Sequence, residues 1–299
     1  MSVSRRSPRV ELRLSRQRQR AWLPWLLLAP GLIWLLLWFV LPLAQLLPVS
    51  LSDSADRFRM TLVFSGRIAN YTEVMVQYAP VLARSLVYAA ASTALAVLIA
   101  YPLAWVIRFR GGRWKGLLIA LVVVPFFTSY LVRAIAWTTL LGDDGPVLSA
   151  LRAVGLPQGT RLLNTAVAVV GGLTYNALPF MVLPIALSLE RIPSELLDAA
   201  RDLQAGPWTV FRRVVLPLSA PGLAAGIVLS LIPAAGDVVN AQFLGGPNNR
   251  MIGNVVQSLM LVQRQFPRGA ALALVLMALM TATVVVHVRR HGSSDLTLS

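Results

Sequence analysis

The sequence predicts an all-α integral membrane protein with six transmembrane helices and both termini in the cytoplasm. Of its 299 residues, 57% are hydrophobic and 13% are charged, whereas soluble domains average roughly 45–50% and 25%. Six mainly apolar runs, each close to the ~20 residues that a helix needs to cross a bilayer, alternate with arginine-bearing segments. The net charge of +15 is divided unevenly between the two sets of connecting segments, and this division indicates an orientation in the membrane.

The predicted spans follow the apolar runs in chain order. They are Ala21–Leu47, Leu82–Ile107, Gly116–Leu141, Thr165–Leu189, Leu218–Val239 and Gly269–Val288. They form a six-span domain, 21–288, between a basic N-terminal tail, 1–20, and a short C-terminal tail, 289–299. A signal peptide is the alternative for the first run, because the tail before it is basic. That run is far longer than the ~7–15 residues of a signal peptide's apolar region, so an uncleaved span is predicted.

Basic residues are concentrated in the N-terminal tail, in the loops after the second and fourth spans, and after the sixth span. Short loops rich in arginine and lysine stay on the cytoplasmic side. Both tails and the loop Glu190–Pro217 are therefore predicted to be cytoplasmic. Because the basic residues lie between apolar runs, they are typical of loops at a membrane surface and do not predict nucleic-acid binding.

Several kinds of chemistry are excluded by composition. The chain has no cysteine, and its two histidines, His287 and His291, lie near the C-terminus, so a zinc enzyme is not expected. A nucleotide-binding P-loop needs Gly-Lys-Ser/Thr, but the single lysine, Lys115, precedes Gly116. We therefore expect no catalytic residue, no metal and no cofactor in this chain, and any ATP must be bound by another chain.

The loop Glu190–Pro217 is predicted to hold two short helices separated by a turn. Ser194 is a suitable N-cap for the first helix, and Gly206 with Pro207 interrupts the chain before the second, Trp208–Val215. At helical spacing, apolar residues of the first helix share one face: Leu196, Ala199, Ala200 and Leu203. From these residues alone, the loop is either a solvated connector or a docking surface for a cytoplasmic partner.

This loop resembles the EAA loop of ABC importer permeases, whose pattern is Glu-Ala-Ala, three residues, Gly, nine residues, Ile-x-Leu-Pro. Asp198, Ala199 and Ala200 stand at the first part, and Leu216 and Pro217 stand at the last. Asp198 replaces the motif's glutamate and keeps its charge.

The second departure is Gln204, which replaces the motif glycine, with Gly206 two residues further on. A glycine between two short helices usually supplies a left-handed turn. Two alternatives stay open: Gly206 takes over that conformation in a shifted turn, or Gln204 adopts it at a cost.

The resemblance implies the type I permease fold of ABC importers, with 21–288 as the permease domain and 190–217 as its coupling loop. It implies that the loop docks on an ATPase subunit and transmits its motion through Glu195, Asp198, Ala199, Ala200, Gln204, Gly206, Leu216 and Pro217. It also implies a bacterial inner membrane location. The implied partners are a second related permease, two ATP-hydrolysing subunits and an extracytoplasmic solute-binding protein.

Three further segments resemble the spermidine/putrescine-type branch of these permeases: Pro125–Trp137, Ile232–Gly246 and Met251–Gln257. The resemblance implies translocation of a small cationic solute, a polyamine. Asp237 stands where that branch usually has Glu, and Asn240 where it usually has Pro. The resemblance implies that both lie near the translocation path. Permeases for sulfate, iron, phosphonate or opines are the main alternative, since fold does not decide substrate.

Two other classes are less favoured. A self-sufficient secondary transporter would need an internal repeat and a coupling-ion site of buried carboxylates, and Asp237 is the one plausible intramembrane carboxylate. An integral membrane enzyme would need a catalytic constellation that this sequence does not contain.

Polar residues inside the spans are the candidates for the translocation path. In the third span, Phe126 and the candidates Tyr130, Arg133 and Trp137 are spaced to share one helix face. Asp237 follows Pro233, which is expected to kink the fifth span. Intramembrane charges are expensive, so Arg133 and Asp237 either neutralise each other or line a path for a charged solute.

Two more features carry weaker predictions. Asp143 and Asp144, at the outer end of the third span, either attract cations or form an ordinary turn. In the fifth span, small residues recur every fourth position at Gly222, Gly226 and Ser230, a pattern that suits close helix approach.

Overall fold

The computed structural model describes residues 23–56, 61–155, 157 and 159–291. These residues are almost entirely helical, as predicted, apart from one short β-hairpin. The predicted basic tail, 1–20, and residues 292–299 of the C-terminal tail lie outside the described residues.

Within the described residues, five helices are long and apolar enough to cross a membrane: Leu26–Ser50, Ala69–Phe109, Ala166–Glu190, Pro207–Ala235 and Phe266–His287. A sixth span results if two helical stretches that meet at 98°, Gly112–Phe127 and Tyr130–Ala153, are one broken span. Each predicted span overlaps one of these, so the described residues contain six spans when the bent pair is counted as one.

The first span consists of α1 (Leu23–Leu35), a π-helical segment (Leu36–Val40) and α2 (Leu41–Ser50). The most apolar part of this span has no buried residue in the described structure. Trp34 and Trp38, for example, are each 68% exposed. This surface is therefore available to lipid or to another subunit.

A two-stranded antiparallel hairpin follows, formed by β1 (Ser52–Asp56) and β2 (Thr61–Phe64). The sequence analysis did not predict it. The buried Asn70 fastens the hairpin to the next helix, because its Nδ2 donates to the carbonyl oxygens of Ser50 at 2.9 Å and Ser52 at 3.0 Å.

The second span lies in α3 (Ala69–Phe109), a helix of 41 residues. At 1.5 Å per residue it is roughly 60 Å long, about twice the bilayer's hydrocarbon core. The predicted span Leu82–Ile107 is its second part, and the first part extends beyond it. Near the start of α3, Glu73 pairs with Arg67 at 2.8 Å and with Arg268 of the last helix.

The third span is broken, so the prediction of one continuous helix over Gly116–Leu141 is wrong. A 3-10 segment (Val124–Phe127) and the extended residues 128–129 separate α4 (Lys115–Val123) from α5 (Tyr130–Leu141). A proline inside the 3-10 segment lacks the N–H that a continuous helix would use. A 3-10 turn precedes this span and a short helix follows it: Gly112–Trp114 and α6 (Pro146–Ala153).

The centre of the molecule is the packing of α7 (Ala166–Glu190) against α3 and α10 (Leu216–Ala235). Two clusters of buried apolar side chains fill this interface, one near each end of α7. A third cluster joins the start of α3 to the last helix. The predicted fourth span, Thr165–Leu189, matches α7 within one residue at each end.

The small-residue stripe of α10 lies against α7, as its spacing predicted. A Cβ added at Gly222 would lie 2.4 Å from the carbonyl oxygen of Pro184, and one at Gly226 would lie 2.7 Å from Sδ of Met181. Ser230 is also buried in this contact. The two helices can approach this closely only because these positions carry almost no side chain.

The fifth span ends earlier than predicted. The sequence placed it over Leu218–Val239, whereas α10 ends at Ala235, two residues after Pro233. Asp237 therefore lies in the connection beyond the helix. The remaining elements are α11 (Val239–Leu244), a 3-10 turn (Pro247–Asn249), α12 (Ile252–Gln257), a π-helical segment (Ser258–Val262) and α13 (Phe266–His291).

The loop between the fourth and fifth spans contains α8 (Ser194–Asp202) and α9 (Pro207–Val210). Gln204 has φ +55°, whereas Gly206 has φ −62° and ψ 156°. Gln204 itself therefore takes the left-handed conformation that the motif assigns to glycine, and Gly206 is an extended N-cap for α9.

The second short helix of this loop is not a separate element, which corrects the prediction. From α9 the chain passes through a π-helical segment (Phe211–Val215) directly into α10, so Pro207–Ala235 is one continuous helix. Leu216 and Pro217 consequently lie inside the fifth span, directly after the π-helical segment.

Candidate translocation cavity and coupling surface

A cavity of about 380 Å³ lies beside the middle of α7, between α5 and the last turns of α10. We call it the Asp237 cavity. Its lining residues come from both sides of the break in the third span and from two further helices. They are Phe126, Tyr130, Arg133, Leu173, Asn176, Ala177, Phe180, Leu229, Ser230, Pro233, Ala234 and Asp237.

Asp237 is held in this cavity by four hydrogen bonds. Its Oδ1 accepts from the backbone N–H groups of Asn240 at 2.8 Å and Ala241 at 3.3 Å. Its Oδ2 accepts from the Tyr130 hydroxyl and, at 3.2 Å, from Nδ2 of Asn240. The carboxylate is only 8% exposed, so these donors replace the water that it would otherwise bind.

Asn240 and Asn176 extend this network. Sequence reasoning placed Asn240 near the translocation path but did not name Asn176. Asn240 is fully buried; its Nδ2 also donates to the Tyr130 hydroxyl oxygen at 2.6 Å, and its Oδ1 accepts from Nδ2 of Asn176 at 3.4 Å. The sequence marked Asn240 as a departure from the family pattern near the path, without predicting its contacts. Its position three residues after Asp237, at the start of a helix, is the signal that marks such a cap.

Arg133 lies in the same cavity but makes no ion pair with Asp237 within 4 Å. Its guanidinium carbon lies 4.3 Å from the ring centroid of Phe126 and 5.4 Å from that of Tyr130. Its Nε and Nη1 are shielded from solvent and have no hydrogen-bond acceptor among the described residues. Direct mutual neutralisation of Arg133 and Asp237 is therefore not the arrangement in this structure.

The aromatic residues of the third span separate into two groups. Phe126 packs edge-to-face on Phe180 at 5.3 Å, which completes an aromatic wall around Arg133. Trp137 instead packs on Tyr175 at 5.6 Å and does not line the cavity. The predicted shared face is thus divided: Phe126 lines the cavity with Tyr130 and Arg133 from across the helix break, whereas Trp137, one turn further along α5, does not.

Asp143 and Asp144 lie outside the cavity. Both are exposed in the turn between α5 and α6. Asp143 pairs with Nε of Arg161 at 3.5 Å, and its carbonyl oxygen accepts from Nη1 of Arg152 at 3.0 Å. This turn geometry does not bring either carboxylate to the other path candidates.

Beyond the C-terminal end of α7, the loop helix α8 and the residues after it present an apolar surface that nothing in the described structure covers. Leu196 is 46% exposed, Leu203 is 83% exposed and Trp208 is 70% exposed. Ala199 is also exposed between them. We call these four residues the coupling face. Ala200 is half-buried, and Glu195 and Asp198 are exposed on the same helix.

An aromatic cluster connects the coupling face to the helix bundle. Trp208 stacks on Phe211 at 5.4 Å, and Phe211 packs edge-on against Tyr101 at 5.5 Å and Trp105 at 6.0 Å. The Tyr101 hydroxyl lies 2.7 Å from that of Ser219 in α10. The coupling face is therefore in packed contact with α3 and α10 through these rings.

Comparison with known proteins identifies the family. The model of the family described as "Binding-protein-dependent transport system inner membrane component" matches residues 20–291. The chain belongs to this family. It is a permease subunit of an ABC importer, a multi-pass bacterial inner membrane protein, and its relatives are transport subunits rather than enzymes.

Relatives in the same family share a third or more of the aligned residues. The chain is 38% identical to the spermidine/putrescine transport system permease protein PotB of Haemophilus influenzae, over 86% of this chain and 90% of that protein. Identity to PotB of Escherichia coli is 34%, over 86% and 93%. Identity to the inner membrane ABC transporter permease protein YdcU of Escherichia coli is 37%, over 72% of each.

Solved structures confirm the type I permease fold. A chain of a bacterial ABC transporter involved in the import of alginate matches with a TM-score of 0.69, covering 95% of this chain and 99% of that chain at 18% identity. A chain of the MetNI methionine ABC transporter matches with a TM-score of 0.53, covering 72% and 93% at 17% identity. At these identities the match concerns the fold alone.

Proposed function

We propose that this permease carries polyamines such as spermidine and putrescine across the inner membrane, with the Asp237 cavity as part of their path. The observation that carries the proposal is the identity of 38% and 34% to permeases of that specificity over 86% of the chain. The cavity supports it, because it combines a buried carboxylate with aromatic ring faces.

The chemistry of the cavity suits organic ammonium groups. A carboxylate provides charge-assisted acceptors for N–H donors, and aromatic faces attract cations with little loss on desolvation. An intramembrane carboxylate is costly and is expected to serve a function. Asp237, Phe126, Phe180 and Tyr130 supply both features within one cavity of about 380 Å³.

The coupling face supports a mechanism of alternating access driven by separate ATPases. Contiguous exposed apolar residues mark interaction sites, and Leu196, Leu203 and Trp208 project from a charged loop. We propose that this face docks on an ATPase subunit, whose closure moves α8 and, through Phe211, the helices around the cavity. The complete importer would contain a second permease, two ATPases and an extracytoplasmic binding protein, with the loop and both termini cytoplasmic.

One observation favours a second candidate, an anionic solute. The Arg133 guanidinium has buried N–H groups without acceptors, which an anion would satisfy. A permease for an oxyanion would use such a group directly, so anion transport is the alternative that the experiment must include.

The test is purification of the tagged complex from its native membrane, reconstitution with its binding protein, and ATP-dependent uptake of labelled spermidine, putrescine and molybdate. We expect polyamine uptake, and about a tenfold slower rate for Asp237→Asn with normal assembly, because Asn keeps the Oδ1 acceptor but loses the charge. Asp144→Asn, exposed outside the cavity, is the control. Molybdate uptake without polyamine uptake would contradict the proposal, and equal loss of uptake and assembly would assign Asp237 a structural role.

A further inference from the structure

Arg133 occupies the place in the Asp237 cavity that a ligand cation would take. The guanidinium lies over the Phe126 ring at 4.3 Å, and the Phe126–Phe180 pair walls that side of the cavity. Cations are attracted to such ring faces from within about 6 Å of the centroid. The position over the Phe126 ring, where a ligand cation could bind, is therefore occupied by the guanidinium of Arg133.

In the cavity, the hydrogen-bond acceptors of Asp237 have donors, whereas two N–H donors of Arg133 have no acceptor in the described part of the chain. Asp237 is bonded to Tyr130, Asn240 and Ala241, and among the described residues it forms no ion pair within 4 Å. Arg133 has two buried N–H groups without acceptors among the described residues. Buried donors without partners destabilise the arrangement that holds them, and charged donors do so more than neutral ones. Arg133 is thus held in this position weakly, by ring contacts rather than by hydrogen bonds.

The position of Arg133 in the chain allows its guanidinium to move away from the Phe126 ring. It lies in the first turn of α5, four residues after Ser129, and its backbone N–H donates to the Ser129 carbonyl oxygen at 3.1 Å. The extended residues 128–129 precede that turn. A long arginine stem can carry its charged end several ångströms by rotamer changes alone.

We propose that Arg133 is a tethered cation that occupies the aromatic side of the Asp237 cavity when no solute is present and is displaced by an ammonium group of the solute. This inference rests on the proposed function, since it requires a cationic solute in this cavity. Competition by Arg133 weakens solute binding at the membrane-embedded site and favours release. In the empty state, its positive charge also excludes other cations from the path.

The decisive experiment measures equilibrium binding of radiolabelled spermidine to the assembled complex in nanodiscs, without the solute-binding protein. The variants are Arg133→Gln, which removes the charge, Arg133→Met, which keeps an unbranched stem, and Arg133→Lys, which keeps a cation. Arg161→Gln is the matched control, because Arg161 is an exposed arginine outside the cavity. Size-exclusion chromatography of each complex checks assembly.

We expect Arg133→Gln or Arg133→Met to bind spermidine about tenfold more tightly than the wild type, since a like charge in a poorly screened cavity is removed. Arg133→Lys and Arg161→Gln should stay close to the wild type. Unchanged or weaker binding in the neutral variants overturns the inference, as does undetectable binding throughout. An equal gain in Arg161→Gln, or failure of both neutral variants to assemble, also overturns it.

A parallel uptake assay separates this inference from the proposed function. ATP-dependent spermidine import by the wild-type complex with its binding protein tests the function alone. If import occurs and the neutral variants show no gain in binding, only the role of Arg133 fails. If the wild type imports no polyamine, the proposed function fails.

Discussion

Gln204 adopts a left-handed backbone conformation that is unfavourable for a residue with a side chain. Its φ of +55° lies in the left-handed region, which residues with a Cβ adopt at a cost of roughly 1–2 kcal/mol. Its side chain is exposed. The cost at this turn is therefore conformational and is not balanced by burial of the side chain.

Gln204→Gly should stabilise the chain by about 0.5–1 kcal/mol, since glycine adopts this conformation without strain but loses more freedom on folding. The measurement is the thermal unfolding midpoint of the detergent-purified complex, with an expected rise of about 1–3 °C. Ala205→Gly is the control and should lower the midpoint, because Ala205 is outside the positive-φ residues of the described chain. A fall in both variants would mean that Gln204 contributes more through contacts than its backbone costs.

Among the elements, the contact between α7 and α10 depends on the absence of side chains at a few positions. A Cβ at Gly222 would meet the Pro184 carbonyl oxygen and the Ser188 Cβ, both at 2.4 Å. Real Cβ atoms do not approach that closely, so one helix would have to move. Tight packing of this kind tolerates added volume poorly.

Gly222→Ala should therefore destabilise the chain by about 1–3 kcal/mol, seen as a lower unfolding midpoint and a smaller yield of assembled complex. Gly171→Ala, within α7, is the matched control, because a Cβ there meets nothing within 4 Å. It should be neutral or stabilising by up to about 1 kcal/mol. Similar behaviour of the two variants would show that α7 and α10 are not in close contact at Gly222.

The coupling loop is an element whose exposed surface is more apolar than a solvated connector needs. Its amphipathic pattern was evident from the sequence, with Leu196, Ala199, Ala200 and Leu203 on one face. The structure shows that Ala200 is half-buried, whereas Leu203 is 83% exposed. The most informative position for a docking test is consequently Leu203.

Leu203→Asp should leave the stability of the chain within about 0.5 kcal/mol, because the side chain is exposed. It should abolish co-purification of the ATPase and ATP-driven uptake, since a buried unpaired carboxylate disfavours an apolar interface. Val154→Asp is the control, an equally apolar and 88% exposed position beyond the other end of α7. Normal uptake by Leu203→Asp at normal expression would place the docking surface elsewhere.

For the whole molecule, the distribution of basic residues predicts that α8 and both chain ends share the cytoplasmic side. The span count in the structure is consistent with this, provided that the bent pair Gly112–Phe127 and Tyr130–Ala153 crosses the membrane once. If that pair re-entered on the side from which it came, the later helices would have the opposite orientation.

A reporter fused after Arg290 should be cytoplasmic, and one inserted after Gly155 should be external, because an odd number of spans separates them. Paired reporters that are active only in the cytoplasm or only in the periplasm make this measurement. An external signal after Arg290 would overturn either the orientation or the single crossing of the third span.

Sequence reasoning predicted the class, the six spans and both charged residues that line the cavity, Arg133 and Asp237. It placed the third span in one helix because hydropathy does not register a break whose flanks are both apolar. It placed Asn240 near the path without predicting its contacts, and it missed Asn176, since an asparagine in an apolar run does not reveal its partners until its neighbours in space are known.

The sequence alone determined that the chain crosses the membrane and that any ATP must be bound by another chain, because hydropathy, charge distribution and the missing P-loop are properties of composition and order. Only the tertiary structure decided which polar groups meet. Arg133 and Asp237, opposite in charge and placed in different spans, invite the inference of an ion pair. In the folded chain Tyr130 and Asn240 satisfy the carboxylate first, and the guanidinium is left against the aromatic rings. Such competition among donors depends on distances between helices, which no sequence pattern specifies.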